Sequence, residues 1–172
     1  MRGRVIVPPD NLPVRPTTDF AKTALFNILN NHFDFESIDV LDLFAGTGAI
    51  SYEFISRGSP SVTAVDENIQ CVNFIKKTLT DFRMTGLQVI RTDAFDYIRN
   101  GTKQYDIIFA DPPFSLEETN LLPDLVFEKN NLKKDGWLII EHQTKRILQS
   151  NVQPFQVRKY SNCSYSFYKS QA

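Results

Sequence analysis

Short apolar runs alternate with helical patterns along most of this chain, and that alternation leaves few folds open. Residues 38–44, 62–65, 87–90, 105–110 and 136–141 read as strands. Between them, 48–57, 69–82, 94–100 and 119–129 read as helices, the first ended by Gly58 and the second carrying apolar Val72, Ile75 and Leu79. Strands joined by helical crossovers require a parallel sheet with helices on both faces. The tail changes character: 155–160 and 165–168, separated by Ser161-Asn162-Cys163-Ser164, read as an antiparallel hairpin. The expected fold is α/β, a seven-stranded, mostly parallel sheet closed by an antiparallel C-terminal hairpin.

Upstream, residues 1–16 hold four prolines and read as extended, with a short strand expected at 5–7. Thr17-Thr-Asp19 offers N-cap chemistry for a helix running to residue 31, with Phe20, Leu25, Ile28 and Leu29 as its apolar face. A length of 172 residues, 42% hydrophobic and 23% charged, suits one globular domain. Its expected parts are an N-terminal extension at 1–16, a first helix at 17–31 and a core over 38–172. No stretch approaches the ~20 apolar residues a bilayer requires, and no secretory apolar region opens the chain. Cys71 and Cys163 match no metal or redox spacing. A cytoplasmic monomer without metal is the expectation. The net charge of −1 gives no general attraction to nucleic acid. Phosphate contacts would rest on local clusters such as Arg2, Arg4, Arg15 and Lys22, or Arg158-Lys159.

Function is concentrated where strands end. Asp111-Pro112-Pro113-Phe114 follows the apolar run Tyr105-Asp-Ile-Ile-Phe-Ala110, at the strand edge where open α/β sheets bind ligands. Proline fixes φ and removes donors, so the turn is stiff and its carbonyls are expected to be left to accept. A carboxylate, carbonyls and a ring face suit a flat, amine-bearing substrate such as a nucleobase. The bland reading is a strand exit with a buried Phe.

A second turn, Asp42-Leu-Phe44-Ala-Gly46-Thr-Gly48, joins the first core strand to its helix. A dinucleotide fingerprint would place Gly or Ala at Ser51. It would also not begin with Asp42, which repels a pyrophosphate. An acid there suits a cationic ligand with an α-amino group or a sulfonium, which implies S-adenosylmethionine rather than NAD; a structural acid capping the turn is the alternative. Asp66 ends the next strand, where a carboxylate takes ribose hydroxyls. Asp93 follows the third, within reach of an adenine amine that Phe95 could flank. Each acid alone could be a helix N-cap. Recurrence at four successive strand ends favours a binding site.

These residues carry a family resemblance. The chain resembles the class I S-adenosylmethionine-dependent methyltransferases, Rossmann-like in fold, and more closely the bacterial enzymes that methylate the exocyclic N2 of a guanine in 16S ribosomal RNA. The resemblance runs through Arg15-Pro-Thr-Thr-Asp19, Ala24-Leu-Phe-Asn-Ile-Leu29, Val40-Leu-Asp-Leu-Phe-Ala-Gly-Thr-Gly-Ala49, Ser56-Arg-Gly58 and Phe109-Ala-Asp-Pro-Pro-Phe114. It implies that Asp42, Phe44, Gly46 and Gly48 cradle the methionine end, Asp66 the ribose, and Asp93, Ala94 and Phe95 the adenine. It also implies that Asp111, Pro112 and Phe114 perform catalysis, with Arg15, Thr17 and Pro113 on the substrate side. The implied partner is 16S rRNA in the small subunit or its assembly intermediate. Two departures stand out: Phe114 replaces the commoner Tyr, keeping a stacking face without the hydroxyl, and the basic opening strand is short.

Rival readings are a methyltransferase acting on DNA adenine N6 or a protein glutamine, a nucleotide-binding oxidoreductase, and an RNA-binding module without activity. The first pair often carries Asn at the place of Asp111. Glu141-His142 lies after the fifth strand, where a structural role is favoured over lining the base pocket.

Overall fold

The computed structural model describes residues 5–15 and 18–171. Arg2, Arg4 and Thr17 lie outside the described residues, so the expectations placed on them are not addressed. Helix α1 (Asp19–Asn30) leads into the core elements β1 (Asp39–Leu43), α2 (Ala49–Ser56), β2 (Ser61–Asp66), α3 (Ile69–Phe82), β3 (Leu87–Arg91), α4 (Ala94–Asn100) and β4 (Tyr105–Ala110). Helix α5 (Leu122–Glu128) and strands β5 (Leu132–Gln143), β6 (Gln156–Tyr160) and β7 (Cys163–Lys169) complete the chain. The seven strands form one sheet in the order β3-β2-β1-β4-β5-β7-β6. Pairing is parallel from β3 through β5, and β7 runs antiparallel to both β5 and β6. The order reverses at β1, which pairs with β2 on one side and β4 on the other. A crevice therefore opens beyond the C-terminal ends of β1 and β4.

Strand residues alternate between two cores because successive side chains point to opposite faces. Val40, Ile107, Phe109 and Ile139 pack with Leu25, Phe26 and Leu29 of α1 and with Ile50 and Phe54 of α2. Leu41, Ile108, Ala110 and Ile140 pack with Phe95 and Ile98 of α4 and with Leu122 and Val126 of α5. A strand interior covered on both sides reads as a continuous apolar run, which is why these strands stand out in the sequence.

Several expectations are corrected. No strand forms at 5–7: Val5 and Val7 are exposed, and the prolines that follow remove the donors a ladder needs. The buried face of α1 is Ala21, Leu25, Phe26 and Leu29, while Phe20 is 73% exposed with its ring edge-on to Tyr160. The expected helix at 119–129 is a 3₁₀ turn, Glu117–Leu121, followed by α5, because Pro123 starts a new helix more readily than it continues one. Strand β5 begins earlier than expected: Leu132 is buried in the second core, and Lys133 pairs with Asp39 at 2.7 Å and Asp106 at 2.8 Å, so ion pairs carry the strand across its polar residues. The hairpin turn is Ser161-Asn162 alone, since Cys163 already pairs with Tyr160.

Candidate active site

The parallel register sets a row of carboxylates along one edge of the sheet. Asp93 and Asp111 follow β3 and β4, Asp66 ends β2 and Asp42 is the next-to-last residue of β1, and these strands are neighbours in the order β3, β2, β1, β4. Ala110 pairs with Ile140, so the row continues onto β5 as Glu141 beside Asp111. A cleft of about 430 Å³ runs along these ends, within the ~300–1,000 Å³ usual for small-molecule sites. Phe44, Gly46, Asp66, Asp93 and Ala94 line one half, and Arg15, Asp111, Pro112, Pro113 and Phe114 the other, with Asp42 between them. A larger hollow of about 620 Å³ lies under the N-terminal segment against α2, but no strand residue lines it.

In the first half the chain spends its own neutral donors on the acids. Asp66 accepts the Gly46 amide at 2.8 Å and the Asn68 amide at 2.9 Å, which ties the glycine turn to β2. Asp93 caps α4 through the Asp96 amide at 2.9 Å, so it is an N-cap that also lines the cleft. A carboxylate has about four lone-pair sites, and both acids retain capacity for a ligand hydroxyl or amine. Phe44 sits at φ 57°, a costly conformation for a bulky residue and the kind of strain that gathers at ligand sites.

Asp42 is the outlier among them. It is 2% exposed and accepts the Ser51 hydroxyl at 2.6 Å. Burial pushes its carboxyl up to about 7, despite that hydrogen bond, and Asp66 adds to the effect. A buried acid with neutral donors only, opening onto a cleft, fits a ligand that brings its own positive charge. Ser51, which reads in the sequence only as the break in a dinucleotide fingerprint, is the residue that holds this acid.

Two expected cradle residues are placed elsewhere. Phe95 is buried beneath Phe44, ring centroids 6.2 Å apart, and does not line the cleft. Gly48 starts α2 at φ 82°, and a Cβ there would meet the Tyr52 ring at 2.7 Å, so the turn requires glycine for internal packing. Cys71 lines the cleft, but burial pushes its thiol up to about 11, which keeps it protonated and a poor nucleophile.

The second half is organised around Arg15. Its Nη2 donates to Asp111 Oδ1 at 3.2 Å and to Glu141 Oε1 at 2.8 Å, and its guanidinium lies 3.9 Å from the centre of the Phe114 ring. Burial and the adjacent Glu141 push the Asp111 carboxyl well above the usual range, and Arg15 pulls it partly back. Arg146 braces the turn, donating to the carbonyls of Phe114 at 3.1 Å and Leu116 at 2.9 Å. The Pro113 carbonyl accepts the Leu116 amide at 3.0 Å. Two carbonyls of the turn are thus committed within the chain, which corrects the expectation that all are left to accept; that of Pro112 is not one of them. Glu141 is part of this cluster, whereas its neighbour His142 bonds Ser166 at 2.8 Å instead. Glu141 is buried behind Arg15 and does not itself line the cleft, in keeping with the structural role expected for it; sequence reasoning missed Arg146.

A family model described as conserved hypothetical protein 95 matches residues 1–169. The ribosomal RNA small subunit methyltransferase D of Buchnera aphidicola subsp. Baizongia pistaciae is 33% identical over 130 residues, covering 76% of this chain and 66% of that protein. The putative rRNA methyltransferase YlbH of Bacillus subtilis is 32% identical over 155 residues, covering 88% of this chain and 83% of that protein. Among solved structures, the putative methyltransferase yhhF from Escherichia coli superposes with a TM-score of 0.78 at 25% identity, covering 94% of this chain and 90% of that one.

Proposed function

This chain belongs to the conserved hypothetical protein 95 family, which its relatives place among rRNA methyltransferases, and from that premise we propose that it methylates the exocyclic N2 amine of a guanine in small-subunit ribosomal RNA. S-adenosylmethionine is the methyl donor. The observation that carries the reading is the junction of two differently built half-sites at β1 and β4. One holds a buried acid whose donors are all neutral; the other holds a carboxylate, a proline-stiffened turn and a ring.

The residues of the first half fit the cofactor. Asp42 meets positive charge at the methionine end, Asp66 takes the ribose hydroxyls, and Asp93 with Ala94 borders the adenine, while Phe44 and Gly46 wall the cleft. When bound, S-adenosylmethionine supplies a methyl group on a sulfonium, an electrophile that needs no metal. The protein must then make a poor nucleophile better, because the guanine amine lone pair is conjugated into its ring. Asp111 and the Pro112 carbonyl accept its two hydrogens, which favours a tetrahedral nitrogen and exposes the lone pair. Phe114 stacks on the extruded base and fixes its plane. Catalysis is then mostly positioning by fixed dipoles. A new N–C bond forms as the bond between the methyl carbon and the sulfonium sulfur breaks, its electron pair staying on sulfur, which leaves as a neutral thioether. The amine gives up one proton, for which Asp111, with its affinity for protons raised by burial, is the nearest acceptor before water. Pro113 keeps the turn stiff, and Arg15 sits on the substrate side.

The whole chain acts, on this reading, as one monomeric cytoplasmic domain, with the small subunit or its assembly intermediate as partner. No helix among the described residues is long and apolar enough to cross a membrane. The test is to incubate the protein with methyl-labelled cofactor and small-subunit particles from cells lacking it, then map the label. Label on guanine N2 supports the reading; label on adenine, DNA or a protein amide overturns it.

A further inference from the structure

We propose that the Arg15 guanidinium occupies the place of the target base, and that the two carboxylates it bridges, Asp111 and Glu141, read the donor edge of guanine, with Glu141 as the residue that sets base specificity. This rests on the guanine reading above and deepens it.

Carbon 2 of guanine bears N1, N2 and N3, so its amine edge is a planar cyclic guanidine. Arginine carries the same fragment in open form. In the structure one guanidinium lies among these groups: its Nη2 alone bridges Asp111 at 3.2 Å and Glu141 at 2.8 Å, and its carbon lies 3.9 Å from the centre of the Phe114 ring. A single donor position thus reaches both acceptors that the two neighbouring donors of guanine would share. The two acceptors sit side by side because Asp111 and Glu141 extend paired positions of β4 and β5. Guanine presents two adjacent donors, N1–H and the N2 amine, and these match two adjacent carboxylates. Adenine presents one amine next to an N1 lone pair, which would face the second carboxylate without a proton between them. The pair therefore discriminates by leaving a buried acceptor unpaired with the wrong base.

Glu141 has the character of a reading group rather than a packing one. Its side chain is 1% exposed, and its second oxygen, Oε2, has no hydrogen-bond partner among the described residues. A carboxylate buried that deeply is costly unless a cation or donor meets it. Arg15 meets it from outside, with 42% of its own side chain exposed. A base and the guanidinium cannot share the Phe114 face, so Arg15 must leave as the base enters. Its charge is then available to a backbone phosphate, the usual arginine partner on RNA.

The test compares wild type with Glu141→Gln on small-subunit RNA carrying either guanine or 2-aminopurine at the methylated position. 2-Aminopurine keeps the amine but has no proton on N1. Wild type should favour guanine by about 100-fold in kcat/KM. Glu141→Gln, able to accept or donate, should reduce that preference to within about threefold of unity. Guanine methylation with an unchanged preference in the variant overturns this inference alone. Methylation of neither RNA by wild type overturns the functional reading and the inference with it. A second measurement covers a variant that folds poorly: millimolar methylguanidinium should raise the Tm of Arg15→Ala and leave wild type unmoved, and an equal response of the two overturns the proposal.

Discussion

The two halves of the cleft are built from the same kind of group and neutralised in opposite ways. On the cofactor side, Asp42, Asp66 and Asp93 accept only hydroxyl and amide donors among the described residues. On the base side, Asp111 and Glu141 share a guanidinium that arrives from the N-terminal segment. Neutral donors orient a carboxylate without cancelling its charge, so the first half is left in need of a positive ligand. In the second, an internal cation meets the acids, so what takes its place must bring hydrogen-bond donors of its own. On the proposed reading one row of acids serves a cationic cofactor and an uncharged substrate, and the difference comes from what the rest of the chain brings to each.

The sharpest way to break the comparison is at Asp111. Asp111→Ala should lower methyl transfer about 10³-fold while leaving the Kd for S-adenosylmethionine within a few-fold, measured by rapid-quench turnover and by titration. Loss of cofactor binding in this variant would mean that the halves are not separate.

Asp42→Asn should do the reverse. Losing a charged partner costs about 1.5–3 kcal/mol, so cofactor affinity should fall roughly 10- to 150-fold, with turnover at saturation much less affected. The pH dependence has a definite sign. Burial raises this acid from 3.8 to about 7, so the folded protein holds a proton that the unfolded chain releases. The contribution to stability is complete below about pH 4 and is lost as pH rises through about 7. Cofactor affinity should move oppositely, rising toward pH 8 as Asp42 ionises. Asp42→Asn should flatten both curves and melt at higher temperature than wild type at pH 8. A variant that retains the wild-type pH dependence would remove Asp42 from this role.

Phe114 tests the base side more gently. Stacking is worth about 1–3 kcal/mol, so Phe114→Ala should lower kcat/KM roughly tenfold, mostly through KM for RNA, whereas Phe114→Tyr should keep activity. A Tyr variant as poor as Ala would show that the pocket uses the ring for shape. The smallest effect is expected at Arg146, which only braces the turn. Arg146→Ala should cost about 1–3 kcal/mol of stability, seen as a lower Tm, with kcat reduced a few-fold.

The acids of the cofactor half were legible in the sequence for a local reason. Asp42, Asp66 and Asp93 stand next to the apolar runs and helix starts that define them, so their positions follow from chain order. The base half is held by contacts across 96 and 126 residues, Arg15 to Asp111 and Arg15 to Glu141. Nothing near Glu141 announces its partner, because the β4–β5 register that brings it beside Asp111 is a property of the sheet. Phe95 and Gly48 show the complementary failure: both lie near the glycine turn in the chain, but packing turns one under Phe44 and sets the other against Tyr52. The misjudged face of α1 has a similar origin, since an aromatic at Phe20 looks like core until Tyr160 is seen to cover only its edge.

The division of labour is tested most directly by titrating S-adenosylmethionine at pH 8 into wild type, Asp42→Asn and Asp111→Ala. The account predicts tight binding by wild type and by Asp111→Ala, and binding at least tenfold weaker by Asp42→Asn. Equal affinities for all three, or a loss confined to Asp111→Ala, would contradict it.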